Sequence, residues 1–195
     1  MDDNTIRSGS EIVAYHESAH AVIVYLLGYS IHKVAIDSEE NSGICWWNFR
    51  TNVRQPIPEF QGIPEIEKRV IVDCAGYGSK SLLIGINTNW HRSSDYKHAV
   101  KELTPIYTRK IAKIYIESVT EWVKEILSKY WEVVGALADS LIWYPEKNRF
   151  DDWPGSDFED LLPSDYFEAP EQWSMDGEQA EAIIQRALIA YGLAL

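Results

Sequence analysis

The sequence predicts an α+β chain, mainly helical: a buried helix near the N-terminus, a small β-hairpin or sheet, and a helical bundle behind them. Three observations predict it. Residues 12–27 are apolar on nearly every face, the pattern of a helix enclosed by protein. Residues 31–37 alternate around Val34 and Ile36, and residues 43–49 are β-branched and aromatic, with turn chemistry between them. Beyond Pro64, apolar residues recur at helical spacing through most of the remaining chain. With 195 residues, 46% of them hydrophobic, the chain is long enough for one domain with a substantial core, residues 1–195.

Taken in order, Ser8 and Glu11 form an S-x-x-E capping box at the start of the first helix, and Gly28 is its expected stop. Residues 38–42 (Ser-Glu-Glu-Asn-Ser) are the hairpin turn. Residues 51–64 carry three prolines and read as a loop, after which Pro64 opens a helix. Ile66, Val70, Ile71, Cys74 and Ala75 form its stripe, which continues to about Ile84. Gly76 and Gly78 interrupt that stripe and cost helix propensity, which implies close approach to a neighbouring element. Ser93-Ser94-Asp95 starts another helix running through Ala99 and Leu103. One long helical region is expected over about 105–144, with Ile111, Ile114, Tyr115, Val119, Trp122, Val123, Ile126 and Leu127 on its stripe. The last helix is expected from near Asp176 to about Tyr191.

Residues 145–175 differ in composition. They hold four of the eight prolines, nine acids against two bases, and Phe150, Trp153, Phe158, Tyr166, Phe167 and Trp173. The segment reads as an acidic, aromatic-rich insertion pinned to the domain by its rings. The alternative is a lid or a docking strip for a partner.

Net charge is −12 and the isoelectric point is near 4.8, which argues against nucleic acid and anionic membrane surfaces as partners. The longest apolar run, residues 21–27, is far too short to span a bilayer. Met-Asp-Asp-Asn lacks the basic and apolar regions of a signal peptide, so a cytoplasmic location is expected. Cys45 and Cys74 stand far apart in no CxxC pattern and read as buried small hydrophobes in a reducing compartment.

Within the first helix the polar residues are concentrated in His16-Glu17-Ser18-Ala19-His20. Positions i and i+4 share a helix face, so the two imidazoles can grip one zinc ion, with Glu17 beside it free to handle a proton. Two histidines and a glutamate are costly inside an apolar helix unless a cation compensates them. Because neutral imidazoles bind metal, affinity is expected to fall as pH drops through about 6. A catalytic ion needs a third protein ligand. Ile23 and Leu26 exclude the HExxHxxGxxH continuation. Two carboxylates remain: Glu40, twenty residues after His20 but in the hairpin turn, and Asp95, at a helix start after an irregular stretch.

Several segments, in family order over residues 14–185, resemble the peptidase domain of the FtsH-type ATP-dependent zinc proteases. Ala14-Tyr15-His16-Glu17-Ser18-Ala19-His20-Ala21 is similar to that family's AYHEAGHA, and His32-Lys33-Val34-Ala35-Ile36 to its HKVTI strand. Residues 75–85 resemble GGRAAEELIFG, with Tyr77, Ser79, Lys80 and Ser81 as departures. Ser93-Ser94-Asp95-Tyr96-Lys97-His98-Ala99 resembles SNDLEQA, and Met175-Asp176-Gly177-Glu178-Gln179 resembles LDGEE. The resemblance implies a zincin-like metal helix and a Zn²⁺ cofactor held by His16, His20 and Asp95 rather than Glu40. It also implies a zinc metallopeptidase with Glu17 as general base, acting on peptide or unfolded-protein substrates. The family's ATPase module and membrane anchor do not precede the motif here, so a domain standing alone is expected, as a homo-oligomer or served by a separate ATPase or chaperone. An extended substrate would pair with the strand near residues 44–47. His91, His98 and Tyr15 are the candidates for stabilising an oxyanion. The alternative reading is a non-catalytic zinc-stabilised binding or regulatory module; Glu17 weighs against it, because a structural site has no use for that carboxylate.

Overall fold

The computed structural model describes residues 9–37, 41–85, 90–143 and 173–193. Among the described residues, six α-helices accompany a three-stranded antiparallel sheet, the mainly helical α+β class that the periodicity predicts. Ser8 of the expected capping box, Glu40 with residues 38 and 39 of the expected turn, and residues 145–172 of the acidic insertion lie outside the described residues.

Helix α1 (Gly9–Leu26) is enclosed along most of its length, with Ile23, Leu26 and Leu27 fully buried. Burial of side chains of that size contributes roughly 1.5–3 kcal/mol each, which outweighs the polar cost of one turn of histidine and glutamate. Gly28 stops the helix at φ +87°, donating its N–H to the Tyr25 carbonyl. Strand β1 (Tyr29–Asp37) and strand β2 (Ser42–Asn52) then form the expected hairpin, with Val34 opposite Cys45 and Ile36 opposite Gly43. Pairing carries β2 to Asn52, past the expected strand end, and a 3₁₀ turn at Pro58–Phe60 occupies part of the proline-rich loop.

Helix α2 (Glu65–Ile84) starts directly after Pro64 and ends at Gly85 in the left-handed region. It packs against α1 and against the helix at Arg109–Lys129. A 3₁₀ turn at Trp90–Arg92 leads into α3 (Ser94–Leu103), whose N-cap Ser93 accepts a hydrogen bond from the Tyr96 N–H at 3.1 Å. The single helical region expected over 105–144 is two helices, α4 (Arg109–Lys129) and α5 (Trp131–Trp143). The break falls at Tyr130, whose N–H is shared between the Ile126 and Leu127 carbonyls. Its side chain is buried, as are Val133, Val134 and Leu137 just beyond, so the bend lets α5 pack on α1.

A third strand, β3 (Trp173–Asp176), is not anticipated by the pattern. It pairs antiparallel with β1, with Val34 opposite Met175, so the sheet order is β2-β1-β3 and β2 is an edge. Asp176 then caps α6 (Gly177–Ala190) through a reciprocal capping box with Gln179. The Glu181 carboxylate accepts from the Ile31 N–H at 2.9 Å and from Arg54, which ties α6 to β1 and to the loop after β2. A continuous apolar core runs through all these elements.

Candidate metal centre

One turn of α1 presents three of the four expected site residues. His16 and His20 lie at i and i+4, their rings edge to face with centroids 4.8 Å apart and their Nε2 atoms 3.2 Å apart. The third group comes from α3. Asp95 stands in its first turn, where the helix N-terminus favours a carboxylate, and Ser94 Oγ donates to its Oδ1 at 3.3 Å. Its other oxygen, Oδ2, lies 3.3 Å from His16 Nε2 and 3.8 Å from His20 Nε2. Two nitrogens and one oxygen thus converge in a small triangle. Around a tetrahedral ion with bonds of about 2.0–2.1 Å, neighbouring ligand atoms sit about 3.3–3.4 Å apart. His16, His20 and Asp95 fit a metal ion.

Their surroundings prepare the donors. His20 Nδ1 donates to the Val72 carbonyl of α2 at 2.8 Å, which fixes the tautomer and leaves Nε2 with its lone pair toward the triangle. A Cβ at Gly76 would lie 2.2 Å from His16 Cε1, 2.4 Å from His16 Nε2 and 2.5 Å from His20 Nε2. Only a residue without a side chain lets α2 pass this close to both rings. This is the close approach that the glycine in the α2 stripe implies.

The charges of the metal-free triad are ordered by contact. Burial raises the Asp95 carboxyl, but the hydrogen bond from His16 and the charges of both rings outweigh it and bring the group down to about 2. Burial opposes a proton on His16, yet Asp95 and Glu17 push it above its ordinary value. His20, desolvated and beside His16, is lowered to about 4. Without an ion, the His16 ring and the Asp95 carboxylate attract one another across the triangle.

Glu17 is turned toward the sheet. Its Oε1 is 4.0 Å from His16 Nε2, and its carboxylate accepts a hydrogen bond from the Cys45 N–H of β2. A Cβ at Gly43 would lie 2.9 Å from that same Oε1, so β2 leaves room for the carboxylate by carrying glycine there. Burial pushes Glu17 up to about 7.

The oxyanion candidates are placed elsewhere. Tyr15 packs on Trp131, with its hydroxyl 3.4 Å from the Cβ position of Gly135 on α5. His91 is exposed, against Tyr96 and 4.0 Å from Glu117. His98 Nδ1 is 2.8 Å from an oxygen of Asp73. Glu40, the competing ligand, lies outside the described residues, while the triangle is complete without it.

No family model and no curated protein matches this chain.

Two neighbours of the site escaped the sequence reading. Gly43 was legible only as the opening of a strand, and its role follows from the register that puts it over Glu17. Lys80 was legible only as a departure from a motif; its position four residues after Gly76, one helical turn on the same face, is the signal that finds it. Among the described residues, no helix is long and apolar enough to cross a membrane.

Proposed function

We propose that this chain is a mononuclear zinc metallopeptidase, in which His16, His20 and Asp95 hold Zn²⁺ and Glu17 is the general base. The observation that carries the reading is the triangle of His16 Nε2, His20 Nε2 and Asp95 Oδ2 with a buried carboxylate, Glu17, next to it. The motif resemblance to the FtsH-type peptidase domain supports it independently of the geometry. An ion held there supplies Lewis acidity, polarising a peptide carbonyl and acidifying a water.

The remaining chemistry belongs to the chain. Glu17 accepts the water's proton and delivers it to the leaving amine, a role for which a group near neutrality is well matched. The Cys45 N–H and the Gly43 backbone hold that carboxylate between α1 and β2, with Oε1 4.0 Å from His16 Nε2. Strand β2, which carries both residues, is one edge of the sheet among the described residues and can hold an extended substrate by main-chain pairing beside Glu17. Both cysteines are free thiols, which suits the cytoplasmic setting expected from the sequence.

Glu17→Gln is the deciding variant. It is expected to keep one zinc per chain by metal analysis and to lose about 10²–10⁴ in cleavage of casein or a peptide library, with chelator-treated protein as control. Equal turnover in that variant overturns the mechanism. A zinc-loaded wild type that cleaves nothing favours the non-catalytic module instead.

A further inference from the structure

Lys80 is the neighbour of the metal centre that the mechanism leaves unused. It lies on α2 one turn beyond Gly76, the residue whose backbone crosses the His16 and His20 rings, and so on the face turned to the site. It is partly buried, and it makes no hydrogen bond or ion pair among the described residues. Of the three ligand side chains, His16 is the most exposed at 24%, against 19% for Asp95 and 10% for His20, so the site opens on the His16 side.

A lone cation is a poor neighbour for a divalent ion, since like charges at short range repel in a partly buried setting. With an ion on neutral imidazoles, Asp95 and Glu17 together balance the metal, and Lys80 leaves one positive charge over. An anion arriving between Lys80 and the ion would remove that excess. A carboxylate is the anion that peptides carry, and an ammonium binds it by a charge-assisted hydrogen bond.

We propose that Lys80 is a specificity-determining residue that binds a substrate carboxylate at the mouth of the metal site, selecting peptides with a free C-terminus or an acidic side chain close to the bond attacked. The inference rests on the metal-site part of the peptidase reading.

Its test needs no turnover. Co²⁺-loaded protein is titrated with three hydroxamate-headed dipeptides: one ending in leucine with a free carboxylate, its C-terminal amide, and the amide with aspartate in place of leucine. Binding is read by calorimetry and by the visible Co²⁺ spectrum. A carboxylate-bearing ligand is expected to bind about tenfold tighter than the neutral amide. The arm that carries the gain tells a C-terminal carboxylate from a side-chain one. Lys80→Gln is expected to erase the gain and Lys80→Arg to retain it, with one Co²⁺ per chain bound in both. Equal affinity for all three ligands, or a gain that survives in Lys80→Gln, overturns the inference. If the ligands are discriminated but no peptide is cleaved, the peptidase reading fails and the carboxylate site stands. Protein that takes up no Co²⁺ overturns both.

Discussion

Gly76 is where a single hydrogen atom in place of a side chain decides whether the donors can meet. An added methyl would sit within 2.2–2.5 Å of three ring atoms of His16 and His20, so the rings would have to turn away. Rotation takes both Nε2 lone pairs off the triangle shared with Asp95 Oδ2. The helix itself loses nothing, because alanine is the better helix former by about 1 kcal/mol. Gly76→Ala is therefore expected to weaken zinc binding by about 10–100-fold in a competition with a chromogenic chelator. The metal-free variant should melt at or slightly above the wild-type temperature. Unchanged zinc affinity would show that the rings have another seat and that the observed triangle is not the binding geometry.

Two elements, α2 and α3, set the position of Asp95 relative to the histidines, and a polar clasp joins them. His98 of α3 is hydrogen-bonded to Asp73 of α2 at 2.8 Å, and Glu102 of α3 lies 3.5 Å from Arg69 of α2. The hydrogen bond to Asp73 raises His98 above its ordinary value, and burial raises Asp73 to about 6. Each group holds its proton more tightly folded than unfolded, so its contribution is full at low pH and fades as pH rises through the raised value. For His98 that window opens near the ordinary histidine value, about 6.5, and extends above it. In chelator, wild type should out-melt His98→Gln by roughly 1–3 °C at about pH 6, and the gap should narrow as pH rises. A gap that widens with pH would contradict the assignment. At this scale legibility was uneven. The start of α3 was readable because Ser93 and Asp95 are local cap chemistry. The break at Tyr130 was not, because the apolar stripe crosses it without glycine or proline and the bend is decided by packing of α5 on α1. Strand β3 was hidden for a similar reason: four residues have no periodicity of their own, and their strand state comes from β1, about 140 positions earlier in the chain.

For the whole molecule, the metal donors span most of the core's connectivity. His20 and Asp95 are 75 positions apart, with the hairpin and α2 between them. The three candidate ligands were readable in different ways, since the helical spacing of the histidines is local chemistry whereas Asp95 was expected only through a motif resemblance. The convergence itself was not, since no pattern in one chain states which helix start faces which turn. The apolar core that runs from α1 to α6 is built of side chains other than the metal donors, so the chelated chain should keep its helical far-UV signal. An ion that binds only when α1 and α3 are docked adds its binding energy to folding. At free zinc of about a hundred times the dissociation constant, the gain is about 2.7 kcal/mol, or roughly 5–10 °C in Tm for a chain of this size. In Asp95→Asn the same zinc addition should move Tm by much less, because the remaining pair on α1 can hold an ion without docking α3. If that variant gains as much as wild type, the ion does not bridge the two helices, and the stabilisation comes from the α1 histidines alone.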